Sequence, residues 1–403
     1  MKKKVFIFSH AMEIGGAERA LLGLLTSFDY SKYEVDLFLM QHSGELMSLI
    51  PKQVNLLPEI PQYSAMMKPM VTALKQGQLK IVAGRIIGKI KAKQFNKRMG
   101  FQDSFVVFDY SHKYTKKYLP VISNTQYDLA ISFLMPHYIV QEKVQAKKKI
   151  AWIHTDYSIC NMDVESETAI WSKYDNIISI SDDVTKAFLT KFPSLENKIV
   201  YIENILSKGF IDGQADLIDV RNEMEISTVK LLSIGRFSEA KKFDEIPQIA
   251  SIIKSKGIDF KWYIIGYGGE EKLIRSKISE FSMEDTVIIL GKKDNPYPYI
   301  KACDIYLQPS RYEGKAVTVH EALILNKPVI ITDYPTAHSQ LMDGFDGIIV
   351  PMDIEGSANE IARVIENKEL QQNLISNMQS TNYSNESEIK KLYELINKLR
   401  LLE

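Results

Sequence analysis

The 403-residue sequence has little cysteine, no net charge and no long hydrophobic run. Cys160 and Cys303 lie far apart and outside any Cys-X-X-Cys spacing, which argues against a disulfide framework or a structural zinc site and favours reduced, buried thiols. Fifty basic residues balance fifty acidic ones, so the basic excess typical of a general nucleic-acid binder is missing. No stretch approaches 18 uninterrupted apolar residues, which predicts that no segment spans a membrane.

The N-terminal segment is not expected to be a signal peptide. The lysines after Met1 precede an apolar run of only four residues, 5–8, which Ser9, His10 and Glu13 interrupt. A secretory signal needs a hydrophobic region of about 7–15 residues. We therefore predict that this segment is a first β-strand.

The sequence does contain a regular alternation of short apolar runs and longer helical patterns. Continuous β-branched and aromatic runs suit strands buried on both faces of a parallel sheet, and the helical patterns suit βαβ crossovers. The sequence therefore predicts an α/β fold. The predicted strands are 5–9, 34–40, 128–134, 149–153, 176–181, 198–202, 229–235, 260–266, 286–291, 304–310, 327–333 and 347–350.

This alternation is interrupted in residues 203–230, which are polar and contain no strong strand before Val229. A chain of 403 residues also exceeds a single ordinary domain of about 150 residues. We predict two Rossmann-like, doubly wound domains, residues 1–206 and 207–384, facing each other across a central cleft.

The C-terminal segment, residues 385–403, is predicted to be an amphipathic helix that packs back on the first domain. Its apolar residues recur at helical spacing. They are Ile389, Leu392, Leu395, Ile396 and Leu399.

Ligands of open α/β sheets bind at the carboxyl ends of the strands, where loops enter helix N-termini. The first such turn contains Gly15 and Gly16. Paired glycines let a ligand approach the backbone and the helix N–H groups. A plain βα loop that needs positive φ is an equal alternative.

The second turn, after the strand at 229–235, contains Arg236 and Lys241. An arginine fork and a lysine point charge could together clamp a diphosphate. Two exposed loop charges are the alternative.

The third turn, "GYGGEE", contains Gly266 and Gly268 but has Glu271 where the dinucleotide fingerprint requires a third glycine. It is therefore interpreted only as a glycine-rich turn near a nucleotide. The stretch "GRIIGKI" (84–90) resembles a P-loop, but its glycines are one residue too close and Ile90 replaces the required Ser or Thr,.

The fourth turn, "RYEG", joins a buried strand to a helix that starts "AVTVHEAL". Glu313 lies in the turn and Glu321 about two turns inside the helix,. Carboxylates accept paired hydrogen bonds from sugar hydroxyls, so both could line one ligand. Alternatively, Glu313 is a charge favoured at a helix N-terminus and Glu321 lies on a solvated face, although its apolar neighbours also suit burial with a partner.

These stretches in combination resemble glycosyltransferase family 4 over nearly the whole chain, and in particular bacterial capsule and exopolysaccharide enzymes. The resemblance rests on "GGAER" (15–19), "GRFSEAKKFD" (235–244), "PSRYEGKAVTVHEALILNKPVIITD" (309–333) and "DGIIV" (346–350). It implies the GT-B architecture, with an acceptor-binding first domain and a nucleotide-sugar-binding second domain. It also implies retaining transfer from a nucleoside-diphosphate sugar, with a UDP-sugar expected, to a saccharide or lipid-linked saccharide in cell-surface polysaccharide synthesis.

The resemblance implies catalytic roles for four residues. Arg236 and Lys241 would neutralise the leaving diphosphate, and Glu313 would hold the hydroxyls of the donor sugar. His154, in "AWIHTDY", would lie near that sugar, although a lone histidine is more often structural. The donor phosphate would help to take the acceptor proton on the same face.

The remaining donor-binding positions implied by the resemblance include Glu321, which would hold the ribose hydroxyls. Lys315 departs from the family, where many relatives have Phe or Leu, and this difference bears on donor or acceptor choice. The positions are Gly15, Gly16, Gly235, Gly266, Gly314, Lys315, Ala316, Val317 and Glu321. We expect no cofactor and no metal, because cationic side chains can replace a metal and no Asp-X-Asp stands at a suitable strand end.

Residues 60–102 contain nine basic and no acidic side chains, with apolar residues between them. A basic amphipathic segment suits an anionic membrane surface, so we predict a cytoplasmic protein peripheral to the inner face of the cell membrane. A solvated basic loop or a nucleic-acid patch is the alternative. The basic residues are Lys68, Lys75, Lys80, Arg85, Lys89, Lys91, Lys93, Lys97 and Arg98.

Two other readings stay open at this point. Another GT-B enzyme, such as a sugar-nucleotide epimerase or a phosphorylase, would share the fold. A nucleotide-sugar-binding module without turnover would share it too, although the complete set of Arg236, Lys241, Glu313 and Glu321 argues against a module. The donor sugar, the acceptor and the oligomeric state do not follow from the sequence.

Overall fold

The chain forms two compact units, which we call domain one and domain two. Domain one comprises Met1–Ile205 with Glu386–Glu403, and domain two comprises Leu206–Asn385, whereas the predicted boundaries are 206 and 384. The computed structural model describes residues 2–13, 15–102, 105–155, 157, 160–225, 228–313 and 316–397.

Domain one is built on a seven-stranded sheet in the order β3-β2-β1-β4-β5-β6-β7. All of its strand pairs are parallel. The strands are β1 (Lys3–Ser9), β2 (Tyr33–Leu39), β3 (Asn55–Leu56), β4 (Gln126–Ser132), β5 (Gln145–Trp152), β6 (Asn176–Ser179) and β7 (Ile199–Tyr201). The helices that precede β7 are α1 (Gly16–Thr26), α2 (Pro61–Met67), α3 (Met70–Lys75), α4 (Leu79–Met99), α5 (Val106–Thr115), α6 (Tyr138–Lys143), α7 (Val164–Trp171) and α8 (Asp182–Lys191).

Domain two is built on a six-stranded sheet in the order β10-β9-β8-β11-β12-β13, again parallel throughout. Its strands are β8 (Val229–Ile234), β9 (Phe260–Ile265), β10 (Val287–Gly291), β11 (Ile305–Gln308), β12 (Val329–Thr332) and β13 (Gly347–Val350). Its helices are α9 (Lys208–Ala215), α10 (Ile246–Ser255), α11 (Glu271–Glu280), α12 (Tyr297–Ala302), α13 (Val317–Ile324), α14 (Ile354–Glu366) and α15 (Lys368–Gln379).

The predicted α/β fold with two doubly wound, Rossmann-like domains is confirmed, and each of the predicted strands overlaps an observed one. The strand that sequence reasoning missed is β3, which has two residues at the edge of its sheet. Two residues are too few to show a periodic pattern. The strands were recognisable because both faces of each sheet are covered. In β1, for example, Val5, Phe6, Ile7 and Phe8 are all 0% exposed.

Between β3 and β4 the described residues form four α-helices, and α4 packs on α5 through glycine. A Cβ on Gly88 would lie 2.6 Å from Ser111 Cα, and one on Gly84 would lie 2.9 Å from the carbonyl oxygen of Tyr114. Glycine therefore lets these two helix backbones approach closely. This packing role explains the glycines of "GRIIGKI" without a phosphate.

The C-terminal helix, α16 (Ile389–Asn397), packs on domain one as predicted. The Tyr393 ring stacks on Tyr33 with centroids 4.3 Å apart, and its hydroxyl accepts a hydrogen bond from the Asp29 backbone N–H at 2.7 Å. Ile389, Leu392 and Leu395 are buried, whereas Leu399 lies outside the described residues.

Replacing Tyr393 by Ala should destabilise domain one by about 2–4 kcal/mol, because an aromatic contact and its packing are lost. Hydrogen exchange followed by mass spectrometry should show faster exchange in β1 and β2 but unchanged exchange in β8 and β9. Lys390→Ala, on the exposed side of the same helix, is the matched control. Equal acceleration in both domains would contradict the docking described here.

Candidate functional site

The strand order of domain two reverses between β8 and β11, which are neighbours in the sheet but distant in sequence. In open α/β sheets this reversal point is where ligands bind, because the loops that follow the two strands diverge and leave a crevice. The loop after β8 contains Arg236 and Lys241, and the loop after β11 contains Glu313. The topology therefore brings three of the predicted catalytic residues to one place.

Glu313 is held by a cluster of hydrogen-bond donors. Its Oε1 accepts from Ser310 Oγ at 2.5 Å, from Gln308 Nε2 at 3.3 Å and from the ammonium group of Lys241. The side chains of Lys241 and Glu313 are 21% and 11% exposed, so a ligand can still reach the pair. The position of the Glu313 carboxylate is thus set by several contacts in the absence of a ligand.

Behind Glu313 lies a buried polar chain that starts in the sheet. Tyr306 donates to Gln308 Oε1 at 2.7 Å, and Gln308 Nε2 donates to Ser310 Oγ at 2.9 Å. All three side chains are 0% exposed. A fully paired buried network has one preferred arrangement, so it orients the carboxylate of Glu313.

Arg311 joins the two loops. Its guanidinium makes a two-pronged ion pair with Asp244, at 3.0 and 2.9 Å, and contacts Glu245 Oε1 at 2.8 Å. It also donates to the carbonyl oxygen of Glu239 at 2.7 Å. Burial alone would raise the pKa of Asp244, but the hydrogen bond and charge of Arg311 outweigh burial and lower it. Planar two-pronged pairs fix geometry, so Arg311 fixes Lys241 relative to Glu313.

Gly235, Arg236 and Lys241 are arranged so that both cations remain available. The Lys241 stem crosses Gly235, where a Cβ would lie 3.2 Å from Lys241 Cδ. Arg236 is exposed, and its side chain makes no hydrogen bond or ion pair with any residue that the structure describes. One of the three N–H donors of Lys241 is used by Glu313. The remaining donors and the whole Arg236 guanidinium can meet an anion.

Gly266 and Gly268 pack the loop after β9 against the loop after β8. A Cβ on Gly266 would lie 1.9 Å from the Gly235 carbonyl oxygen, and one on Gly268 would lie 2.3 Å from that of Phe237. Both have φ +156, which favours glycine. The Phe237 N–H donates to the Tyr267 carbonyl at 2.8 Å. Gly266 thus supports the loop of Arg236 through its backbone.

At the N-terminus of α13, one backbone N–H group is already hydrogen-bonded to a protein side chain. The backbone N–H of Ala316 donates to Gln340 Oε1 at 2.9 Å, and Ala316 is 3% exposed. Val317, the first residue of α13, is half-buried. The predicted positions Gly314 and Lys315 lie outside the described residues.

Glu321 is completely buried, so the alternative of a solvated helix face is wrong. Its Oε1 accepts a hydrogen bond from Tyr297 at 2.9 Å, and its exposed fraction is 0%. Burial with a partner, which its apolar neighbours suggested, is therefore what the fold shows. Because Glu321 is fully buried, a ribose could form a hydrogen bond with it only after neighbouring residues moved.

Three of the predicted donor-binding and catalytic residues lie in domain one. Gly15 precedes α1, and Gly16, its first residue, has open space where a Cβ would point. His154 follows β5, with its ring 4.3 Å from that of Phe133 and parallel to Trp152. Burial lowers the pKa of His154 to about 3, so it is neutral at pH 7, and its Nε2 is without a hydrogen-bond partner among the described residues.

The predicted basic segment of domain one forms α2, α3 and α4. Two of its nine basic residues serve the fold: Arg85 donates to the carbonyl oxygens of Ala65 and Lys68 at 2.8 and 2.6 Å, and Lys68 lies 3.8 Å from Glu59. The other basic residues are exposed, and apolar side chains are exposed among them. These apolar residues are Met67, Val71, Leu74, Leu79, Ile86, Ile87, Ile90 and Met99. We call the seven exposed basic residues and these apolar residues the basic surface.

Two further observations concern the whole described chain. No group of three or more His, Cys, Asp or Glu within it is placed to hold a metal ion. None of its helices is long and apolar enough to cross a membrane.

Sequence reasoning missed Gln308, Ser310, Tyr297 and Gln340. A glutamine inside the apolar run "DIYLQPS" was a signal, because buried polar side chains need partners. Tyr297 and Gln340 approach the site from other parts of the chain, and no local pattern marks them.

The arrangement unites two cations, an oriented carboxylate and a crevice at the carboxyl ends of two parallel strands. Cations suit the phosphates of a ligand, and a carboxylate suits its hydroxyl groups. A phosphorylated, hydroxyl-rich ligand therefore matches both.

The two-sheet fold is that of the GT-B glycosyltransferases. HepE of Anabaena, crystallised in complex with UDP, superposes with a TM-score of 0.65, at 16% identity over 98% of this chain and 99% of that one. This likeness concerns the fold alone. Residues 221–381 match the family Glycosyl transferases group 1, so the chain carries a glycosyltransferase domain of that group, and the resemblance seen in the sequence is confirmed to this level.

Two relatives extend the comparison. The chain is 25% identical, over 88% of each protein, to a Campylobacter jejuni enzyme named N-acetylgalactosamine-N,N'-diacetylbacillosaminyl-diphospho-undecaprenol 4-alpha-N-acetylgalactosaminyltransferase. It is 29% identical to an uncharacterised glycosyltransferase of Methanocaldococcus jannaschii, where the match spans 42% of this chain and only 43% of that protein.

A pair of glycines in one loop tests the packing of the site. Gly266→Ala should cost about 3 kcal/mol or more, because its Cβ would overlap a backbone carbonyl. Gly269→Ala should change stability by less than about 1 kcal/mol, since nothing lies within 4 Å of its Cβ position. Urea denaturation measures both. Equal effects would contradict the close approach of the two loops.

Proposed function

We propose that the protein is a retaining, metal-independent glycosyltransferase of family 4. It transfers a sugar from a nucleoside-diphosphate sugar, with UDP-sugars the preferred class, to a saccharide or lipid-linked saccharide acceptor in cell-surface polysaccharide synthesis. The observation that carries the proposal is the convergence of Arg236, Lys241 and Glu313 at the reversal point of the domain that matches the glycosyltransferase family.

In the proposed reaction, the bond between the anomeric carbon and the donor phosphate breaks. The acceptor oxygen forms a bond to that carbon on the same face, and its proton passes to the leaving phosphate. Negative charge grows on the diphosphate, so the exposed Arg236 and the free N–H donors of Lys241 act where stabilisation increases most.

Glu313 is proposed to accept hydrogen bonds from the donor sugar. Ser310, Gln308 and Lys241 occupy its Oε1, and no hydrogen bond to its Oε2 is formed by the described residues. Glu321 is proposed to bind the ribose after the movement noted above, with Gly314 and Lys315 completing the turn. Gly15, Gly16 and neutral His154 are proposed to contribute from domain one.

The acceptor class is supported by the Campylobacter relative, whose name specifies a diphospho-undecaprenol-linked acceptor and an alpha linkage. A lipid-linked acceptor lies at a membrane surface. We therefore propose that the basic surface docks the protein peripherally on the anionic inner face of the cell membrane. Its exposed lysines would contact headgroups while its exposed isoleucines enter the interface.

Donor turnover tests the site directly. Release of UDP from a panel of UDP-sugars should be detectable for the wild type, and Arg236→Ala, Lys241→Ala and Glu313→Gln should each lower kcat/KM by about 100-fold or more. Arg275→Ala, an exposed arginine of α11 paired with Glu271, should match the wild type.

Two outcomes would overturn these assignments. Equal activity in all variants would remove Arg236, Lys241 and Glu313 from the site. Tight UDP binding without turnover of any donor, in the presence of acceptor lipids, would indicate a binding module instead.

Membrane docking has its own test. Co-sedimentation with vesicles containing anionic phosphatidylglycerol should weaken by about 1,000-fold or more when Lys89, Lys91, Lys93 and Lys97 are replaced by Glu, since each basic residue contributes about 1 kcal/mol. A variant with Lys186, Lys256, Lys272 and Lys390 replaced by Glu carries the same charge change at exposed positions elsewhere. Undiminished binding of the first variant would refute membrane docking by this surface.

A further inference from the structure

Domain one contains a cavity of about 450 Å³ between α5, α6, α7 and the loop after β4. This volume lies in the range of roughly 300–1,000 Å³ typical of small-molecule sites. The lining residues that matter most are Asp109, Lys113, His137, Asp163 and Glu167.

Two buried polar atoms of this cavity have no hydrogen-bond partner among the described residues. Asp109 Oδ2 and His137 Nε2 are buried and unpaired within the described chain. Glu167 is 7% exposed, and its carboxyl group makes no hydrogen bond to a residue that the structure describes. Folded proteins pair nearly all buried polar groups with protein or bound molecules. Two such atoms at one cavity, beside the carboxyl group of Glu167, therefore favour a polar ligand there.

Lys113, one of the lysines of this cavity, already has other partners. Lys113 Nζ donates to Ser166 Oγ at 2.9 Å and lies 4.0 Å from Asp163 Oδ2. Asp163 also accepts a hydrogen bond from the Tyr110 hydroxyl at 2.8 Å. Neither Asp109 nor Glu167 forms an ion pair with a residue that the structure describes.

These two carboxyl groups are poised to bind neutral groups. Burial, followed by the charge of Asp109, raises the pKa of Glu167 to about 8. Burial and the charge of Asp163 raise the pKa of Asp109 to about 7. Near neutral pH they can therefore both donate and accept hydrogen bonds.

The lining favours a sugar over a cation. No metal-binding group occurs in the described part of the chain, and Lys113, Lys116 and Lys173 line the same cavity, which disfavours a polycation. Met135, Pro136 and Ile170 offer apolar surface beside the carboxyl groups. Carboxyl groups for hydroxyls next to apolar surface for C–H groups are what a pyranose ring requires.

The position of the cavity agrees with a ligand site. Met135, Pro136 and His137 follow β4, and Asp163, the N-cap of α7, lies on the connection that leaves β5. Both connections start from the carboxyl ends of parallel strands, which is where α/β sheets bind ligands.

We propose that this cavity is a second saccharide site, with Asp109 and Glu167 contacting sugar hydroxyls directly and His137 as a third partner. The inference rests on the proposed glycosyl transfer and names the class of its second ligand. An acceptor saccharide and a free oligosaccharide share this chemistry, and kinetics separate them.

Saturation-transfer NMR on the intact chain provides the test, with methyl glycosides of glucose, galactose, N-acetylglucosamine and N-acetylgalactosamine as probes and UDP in parallel. At least one glycoside should bind the wild type. Glu167→Leu and Asp109→Asn should weaken that binding about tenfold or more and leave UDP binding unchanged. Glu196→Leu, an exposed position of domain one, should behave as the wild type.

The Tm of Glu167→Leu distinguishes a loss of glycoside binding from unfolding of the variant. Because the pKa of Glu167 is raised on folding, its contribution is present at low pH and is lost as the pH rises through about 8,. Glu167→Leu should therefore raise Tm at pH 9 relative to the wild type. A residue kept for structure alone would lower Tm when replaced.

Binding lost with Tm raised supports the site. Within that result, a raised KM for the acceptor with an unchanged donor KM identifies the acceptor, and unchanged kinetics identify a separate oligosaccharide site. Glycosides that bind Glu167→Leu as they bind the wild type would overturn the proposal, as would UDP binding with no glycoside binding. Glycoside binding without UDP binding would leave this site standing and remove the donor site instead.

Discussion

The candidate site of domain two depends on one guanidinium. Arg311 follows β11, yet its partners Glu239, Asp244 and Glu245 lie in the connection that follows β8. The same two segments are also joined by the Arg311 backbone N–H, which donates to the carbonyl oxygen of Ala240 at 2.8 Å, and by the Lys241–Glu313 pair. The contacts of Arg311 therefore hold the loops together even when a ligand draws Lys241 toward phosphate. Because Arg311 fixes the two loops independently, both residues can contact a ligand while keeping their separation.

A second constraint on the position of Glu313 comes from buried polar side chains of the sheet. Glu313 ends a polar chain that begins at Tyr306 inside the sheet. Buried polar groups stabilise little on balance, but they cost much when unpaired. Such a chain therefore contributes less to stability than to fixing one side-chain arrangement. That is useful where a carboxylate must face hydroxyl groups in one orientation.

Much of the fold was predictable because parallel strands covered on both faces leave continuous apolar runs. Part of the candidate site was predictable too, since Arg236, Lys241 and Glu313 follow such runs directly. Other features depend on contacts between distant segments. The side-chain oxygen of Gln340 accepts a hydrogen bond from the Ala316 N–H, and the Tyr297 hydroxyl donates one to Glu321. Neither contact leaves a local pattern in the sequence.

The glycines also show that a sequence pattern does not reveal contacts between distant segments. The sequence predicted that Gly266 lies near a nucleotide, and the structure places its backbone against Gly235, which is also a predicted donor-binding position. The glycines of "GRIIGKI" serve helix packing. Glycine marks close approach in a sequence, but only the fold shows what approaches.

The return of the chain to domain one has a consequence for the order of folding. Residues 206–385 form a complete unit, whereas domain one needs α16, which follows that whole unit in the sequence. During synthesis domains tend to fold as they emerge. Domain two can thus reach its final structure while the Tyr33 surface of domain one still lacks the Tyr393 ring. Until α16 has emerged and docked, that aromatic surface is open to chaperones.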